Sequence, residues 1–184
     1  MKSKKNNSVW LVLVSTLIVF AVMLGLIRGN SEDLNSKKVY VGGPFEASNS
    51  TSRFALTESI VLRSSFFFTE EQARFAAPDM VRHNEKFFSI FAPGVSFIAV
   101  PFYMIGQLLG YPQLATYFST ILFAVVNFLL VYNISKKLGA GSHTAIMGAF
   151  FFSVGSNALA YSLTLTQHHL SVMLLLLALR NVLE

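Results

Sequence analysis

Three stretches of this 184-residue chain carry no Asp, Glu, Lys or Arg: Val9 to Ile27, Phe87 to Ser135 and Leu138 to Leu179. A helix of about 20 apolar residues crosses a hydrocarbon core about 30 Å thick, so the three stretches hold roughly one, two and two spans. Charged residues make up 12% of the chain, against about 25% in an ordinary soluble domain. The expected fold is all-α: a multi-pass transmembrane helix bundle with a helical outer loop between the first two spans. That expectation excludes a soluble enzyme and a secreted disulfide scaffold. The absence of cysteine excludes thiol chemistry and thiolate metal sites.

The net charge of +5 is no sign of a nucleic-acid partner. The basic residues flank apolar runs, where they anchor and orient helices. Lys2, Lys4 and Lys5 precede the first run and place residues 1–8 in the cytoplasm as a short tail. The run that follows, residues 9–27, is longer than the apolar core of a cleaved signal peptide and lacks a small-residue cleavage site. It reads as an uncleaved signal anchor, so the expected location is the cell membrane with the N-terminus cytoplasmic.

Residues 28–86 form the polar loop and hold eight of the nine acids together with eight basic residues. Within it, Asn49-Ser50-Thr51-Ser52 supplies N-capping oxygens ahead of a helical stretch from Arg53 to Arg63. Leu56 and Ile60 share one face of that stretch. With Phe66-Phe67-Phe68 behind it, the segment reads as an amphipathic helix lying along the outer membrane surface.

Residues 87–184 read as about four further membrane segments: Ala92–Leu109, Leu114–Tyr132, Thr144–Leu165 and a short, apparently truncated run from Leu170 to about Leu183. Pro93, Gly94 and Pro101 interrupt the first of these. If it crosses, Lys136 and Lys137 fall outside, against the positive-inside bias; if it only dips into the membrane, they return to the cytoplasm. Crossing is the reading we favour. The short final run implies that the chain is the N-terminal piece of something longer, or is completed by another membrane subunit.

The only acidic or basic side chains in the charge-free stretches and the final run are His143, His168, His169 and Arg180, which disfavours an ion pump or proton-coupled transporter. Chemistry therefore belongs to the loop. Its densest polar group, Asp79-Met80-Val81-Arg82-His83-Asn84-Glu85-Lys86, directly precedes a span. At that depth its cations could hold the phosphate of a lipid substrate while a carboxylate serves as general base. The same residues could equally be solvated interfacial anchors. Arg53 could hold phosphate or pair locally with Glu58. His168-His169 reads as a polar cap on the last helix rather than a metal site, because neighbouring residues point to different sides of a helix.

The loop sequence Ser52-Arg53-Phe54-Ala55-Leu56-Thr57-Glu58-Ser59-Ile60-Val61, followed by Pro78-Asp79, Phe87-Phe88-Ser89-Ile90-Phe91-Ala92-Pro93-Gly94 and Ala99-Val100-Pro101-Phe102-Tyr103, resembles the N-terminal part of GT-C membrane glycosyltransferases. That class includes protein O-mannosyltransferases and the aminoarabinose transferase of lipid A. The resemblance covers about residues 9–183. It implies a glycosyltransferase, or the N-terminal part of one, that moves a sugar from a polyprenyl-phosphate donor to an acceptor hydroxyl outside the cytoplasm. Its partners would be the lipid bilayer and the lipid-linked sugar.

The family's acidic pair lies about three residues before the Arg-aromatic pair, where this chain has Ser50-Thr51. On the resemblance either Asp79 or Glu46 substitutes as catalytic base, or a different acid serves, or the chain is not catalytically competent; Arg53, His83, Lys86 and Ser89 would lie near the donor phosphate. It names no metal, and the cofactor requirement stays open. The alternative is a non-catalytic integral membrane protein whose loop binds a lipid or protein partner.

Overall fold

The computed structural model describes residues 2–26 and 47–183, with side chains from Trp10 onward in the first stretch. Among the described residues there are eight helices and one hairpin. In chain order they are α1 (Lys2–Gly25), α2 (Ser48–Arg63), α3 (Glu70–Ala76), β1 (Met80–His83), β2 (Lys86–Ser89), α4 (Gly94–Leu109), α5 (Pro112–Lys137), α6 (Ser142–Val154), α7 (Ala158–Ser162) and α8 (His168–Val182). The helical class holds. Only α5, among the described residues, is both long and apolar enough to cross a membrane; the apolar part of α1 and helices α4, α6 and α8 are shorter.

The chain divides into two compact units. Residues 2–26, 121–162 and 168–183 form one; residues 47–120 and 163–167 form the other.

In the first unit α1 packs against α6. Val19 and Met23 are buried on α1, and the small Ala145 and Ala149 on α6. The segment expected to run unbroken from Thr144 to Leu165 is two helices. It breaks at Gly155, the C-cap of α6, where a Cβ would stand 2.9 Å from the Phe151 carbonyl oxygen. Ser156 then turns its hydroxyl back to the Phe152 carbonyl at 2.5 Å, and the Gly155 amide donates to the Phe151 carbonyl at 2.9 Å, so two carbonyls of the last turn of α6 are satisfied.

The His168-His169 pair is also not a simple polar cap. His169 is buried, with Nε2 2.8 Å from the Ala158 carbonyl and Nδ1 3.1 Å from the Asn127 amide nitrogen. Because Nε2 faces a carbonyl, it carries the proton and Nδ1 accepts. The Asn127 amide also donates to the His169 carbonyl at 2.9 Å. His168 stays exposed and stacks on Tyr161, centroids 4.0 Å apart.

In the second unit α2 is the central element, packed on α3 and α4. Ala55 and Leu56 of α2, Phe68, and Ala73 and Ala76 of α3 form the core, with Ile60, Phe75, Met80 and Phe87 around it. α2 is thus enclosed by its neighbours over its first turns. It begins at Ser48 with Ala47 as N-cap and no side-chain cap, a turn earlier than the capping signals suggest. Ser50 to Thr57 are all buried; the Ser50 and Ser52 hydroxyls bond to other segments, and the Thr51 and Thr57 hydroxyls to carbonyls of α2 itself. α3 is started by a reciprocal capping box between Thr69 and Gln72.

The polar loop, expected to be helical, also holds a hairpin. β1 and β2 pair antiparallel in the register Met80↔Ser89, Val81↔Phe88, Arg82↔Phe87 and His83↔Lys86. Asn84 and Glu85 both take positive φ, 45° and 62°, the two-residue turn whose twist matches a hairpin.

α4 runs through Pro101 without breaking. It meets α5 at a tight corner made by Gly110, with φ of 81°. At Gly106 a Cβ would sit 2.5 Å from the Ala115 Cβ, so the close approach of the two helices there requires glycine.

Candidate functional site

The site is assembled on the first two turns of α2. Ser48 and Ser52 stand four residues apart on one face, and both reach Asp79. The Ser48 hydroxyl donates to the Asp79 Oδ2 at 2.7 Å, and the Ser52 hydroxyl lies 2.8 Å from the Asp79 carbonyl oxygen. The Asp79 carboxylate is therefore held beside the N-terminal end of α2, where the helix dipole favours negative charge. Ser52 Oγ also lies 2.8 Å from Ser89 Oγ, which ties the open end of the hairpin to the same helix face.

Arg53 is next along α2 and only 4% exposed. Its Nη1 donates to the Asn49 carbonyl at 2.8 Å and its Nη2 to Gln167 Oε1 at 2.5 Å. The guanidinium carbon lies 4.0 Å from the Phe91 ring centroid, a cation–π contact. Among the described residues the buried Nε has no hydrogen-bond partner. Burial pulls the Arg53 pKa below its ordinary value, and the nearby Asp79 charge partly restores it. The local pairing with Glu58 is not made. Glu58 accepts instead from Gln72 at 2.6 Å and from the Tyr103 hydroxyl at 3.1 Å.

The backbone around Arg53 is fixed from α4. Ser96 donates to the Arg53 carbonyl at 2.9 Å, and Thr57 donates to the same oxygen at 3.0 Å. Residues 163–167 cover the other side. The Leu165 amide donates to the Ser50 hydroxyl at 3.1 Å, and the Tyr117 hydroxyl donates to the Leu163 carbonyl. Ser50, at a position where the resemblance expects an acid, is thus committed to a backbone contact.

Of the six residues expected at the site, the fold groups Asp79, Arg53 and Ser89. His83 and Lys86 pair with each other at the turn end of the hairpin, three residues from Ser89, or about 10 Å at about 3.3 Å per residue. Both are exposed. Glu46 lies outside the described residues. Among the described residues no three His, Cys, Asp or Glu side chains converge as a metal site would need. Sequence reasoning gave Ser48, Phe91 and Gln167 no place at the site and read Ser52 only as an N-capping residue. The serines were legible in principle, through their one-turn spacing just before Arg53. Gln167 is 114 residues from Arg53, and no local pattern could pair them.

Comparison of the chain with protein-family models, with curated proteins and with solved structures gave no match. The functional reading therefore rests on the chemistry of these side chains. A half-exposed carboxylate beside a buried, always-protonated guanidinium can accept a proton from a hydroxyl and steady developing negative charge nearby.

Proposed function

We propose that the chain is a membrane glycosyltransferase of the GT-C kind, or its N-terminal part, that moves a sugar from a polyprenyl-phosphate donor to an acceptor hydroxyl outside the cytoplasm. The observation that carries this reading is the placement of Asp79 by Ser48 and Ser52, beside Arg53 and on the helix that bears Ser50-Thr51 in place of the family's acids. Asp79 removes the proton from the acceptor hydroxyl as its oxygen attacks the anomeric carbon. The bond from that carbon to the phosphate oxygen breaks, and the polyprenyl phosphate leaves with the electron pair. Its charge is steadied by Arg53. A phosphate leaving group needs little protonation near neutral pH, so the cation matters more than a general acid.

A membrane setting is part of the proposal, with several helices embedded. The span-length α5 supports it, as do the exposed apolar residues Leu13, Leu17 and Ile18 on α1, Ile105 and Leu108 on α4, and Leu174 and Leu175 on α8.

The test is sugar transfer by membranes containing the whole protein, supplied with radiolabelled polyprenyl-phosphate sugars. Transfer above protein-free membranes, with a raised donor KM in Arg53→Gln, supports the reading. Transfer indistinguishable from the background for every donor would favour the non-catalytic alternative.

A further inference from the structure

The antiparallel register sorts the hairpin into two faces, because paired residues point the same way and successive residues alternate. Met80, Arg82, Phe87 and Ser89 share one face. Met80 and Phe87 pack on the α2–α3 core, and Ser89 reaches Ser52. Val81, His83, Lys86 and Phe88 share the other.

That second face continues onto Phe67, whose ring meets Phe88 edge-on with centroids 4.9 Å apart and lies 4.1 Å beneath the Lys86 ammonium. The Arg63 guanidinium donates to the Phe67 carbonyl at 2.9 Å. The face carries no acid, and the neighbouring Glu85 at the turn is paired with Arg82. Val81 is 48% exposed. Aromatic rings carrying cations, with no compensating carboxylate, match the chemistry of an anionic lipid headgroup layer. Only Ile90 to Pro93 separate β2 from the apolar α4, and Ile90 is itself exposed.

We infer that the outer face of the hairpin, built on Val81, Lys86, Phe88 and Phe67, is a docking surface for anionic phospholipid at the membrane boundary, distinct from the Asp79–Arg53 site. The inference rests on the membrane setting proposed above. It gives His83 and Lys86 a role in seating the loop on the lipid surface, not in binding the donor phosphate. Docking there holds the inner face, with Ser89 and Asp79, at a fixed height above the bilayer.

Trp10 is the only tryptophan in the chain and is 67% exposed on α1, so it reports the membrane setting separately. The full chain is reconstituted in vesicles of phosphatidylcholine, with or without phosphatidylglycerol, doped with lipids brominated near the headgroup. Quenching is read for native Trp10, and for Val81→Trp and Phe88→Trp in a Trp10→Phe background. The expected result is quenching of Trp10 in all vesicles, and of either hairpin tryptophan mainly when phosphatidylglycerol is present. Lys86→Glu should lower the docked-to-undocked ratio by about fivefold or more.

Quenched Trp10 with both hairpin tryptophans unquenched would overturn the docking surface and leave the membrane setting standing. Hairpin quenching that ignores phosphatidylglycerol and Lys86→Glu would overturn the anionic preference. Unquenched Trp10 would overturn the membrane setting and the docking surface together.

Discussion

Ser48 opens α2 and donates a hydrogen bond from its hydroxyl to the Asp79 carboxylate at 2.7 Å, across 31 residues of sequence. This contact joins the end of α3 to the start of α2 and sets the height of the carboxylate relative to Arg53. A hydrogen bond to a charged group contributes about 1.5–3 kcal/mol. Ser48→Ala should therefore lower transfer by about 10- to 100-fold, with little change in donor KM. Steady-state kinetics on the whole protein in membranes checks this; an unchanged kcat would show that Ser48 does not position the carboxylate.

Arg53→Lys should not rescue Arg53→Ala. The guanidinium serves Asn49 and Gln167 through separate nitrogens while lying over Phe91, and a single ammonium cannot reproduce that fork. Both variants should lose about 1–3 kcal/mol of stability through the buried groups left unpaired. Thermal unfolding of the detergent-solubilised protein measures the loss, and donor binding should weaken in parallel. Wild-type melting of Arg53→Lys would contradict this account of the site.

Two glycines in apolar helices should respond in opposite ways. At Gly106 a Cβ meets Ala115 and the Tyr111 backbone at 2.5 and 2.7 Å, whereas at Gly148 nothing lies within 4 Å. Gly106→Ala should cost about 1–3 kcal/mol by overpacking. Gly148→Ala should stabilise α6 by about 0.5–1 kcal/mol. Melting temperatures of the two variants give the comparison directly.

The second buried network tests the first unit alone. Asn127→Leu removes the donor to both Nδ1 and the carbonyl of His169 and should cost about 1–3 kcal/mol. His168→Ala, at an exposed position, should stay within about 0.5 kcal/mol of wild type. Equal melting of both variants would show that the His169 contacts contribute nothing net.

Much of the helical framework was legible because long charge-free runs admit few alternatives. The sequence located α4, α5 and the boundary at Gln167-His168-His169 to within about five residues, but α1 starts at Lys2, inside the stretch expected as a tail. It misread two places where tertiary contacts overrule local pattern. α2 looks amphipathic, yet its serines and threonines are buried because they bond to Asp79, Leu165 and the helix's own carbonyls. The hairpin was hidden because Met80 to Ser89 lacks an Asn-Gly turn. Its register is set instead by Asn84-Glu85 in the left-handed region and by Phe87 packing on the core.

The site was half legible. Asp79 and Arg53 stand out as charges, but their separation in sequence gives no reason to group them, and the adjacency of His83 and Lys86 to Asp79 misleads. A strand alternates its faces, so Lys86 and Ser89, three positions apart on β2, point opposite ways, and β1 carries His83 away from Asp79 to the turn end of the hairpin. Gln167 comes to Arg53 only through the fold of residues 163–167.

The central claim is that the Asp79 carboxylate is the base for sugar transfer. The most direct measurement is kcat and KM of Asp79→Asn in membranes holding the whole protein, with polyprenyl-phosphate sugar as donor. Asparagine keeps the contact to Ser48 and removes the base. The account predicts a kcat lowered by about 10²–10⁴-fold with donor KM nearly unchanged. A kcat equal to wild type would contradict it and remove Asp79 as the base.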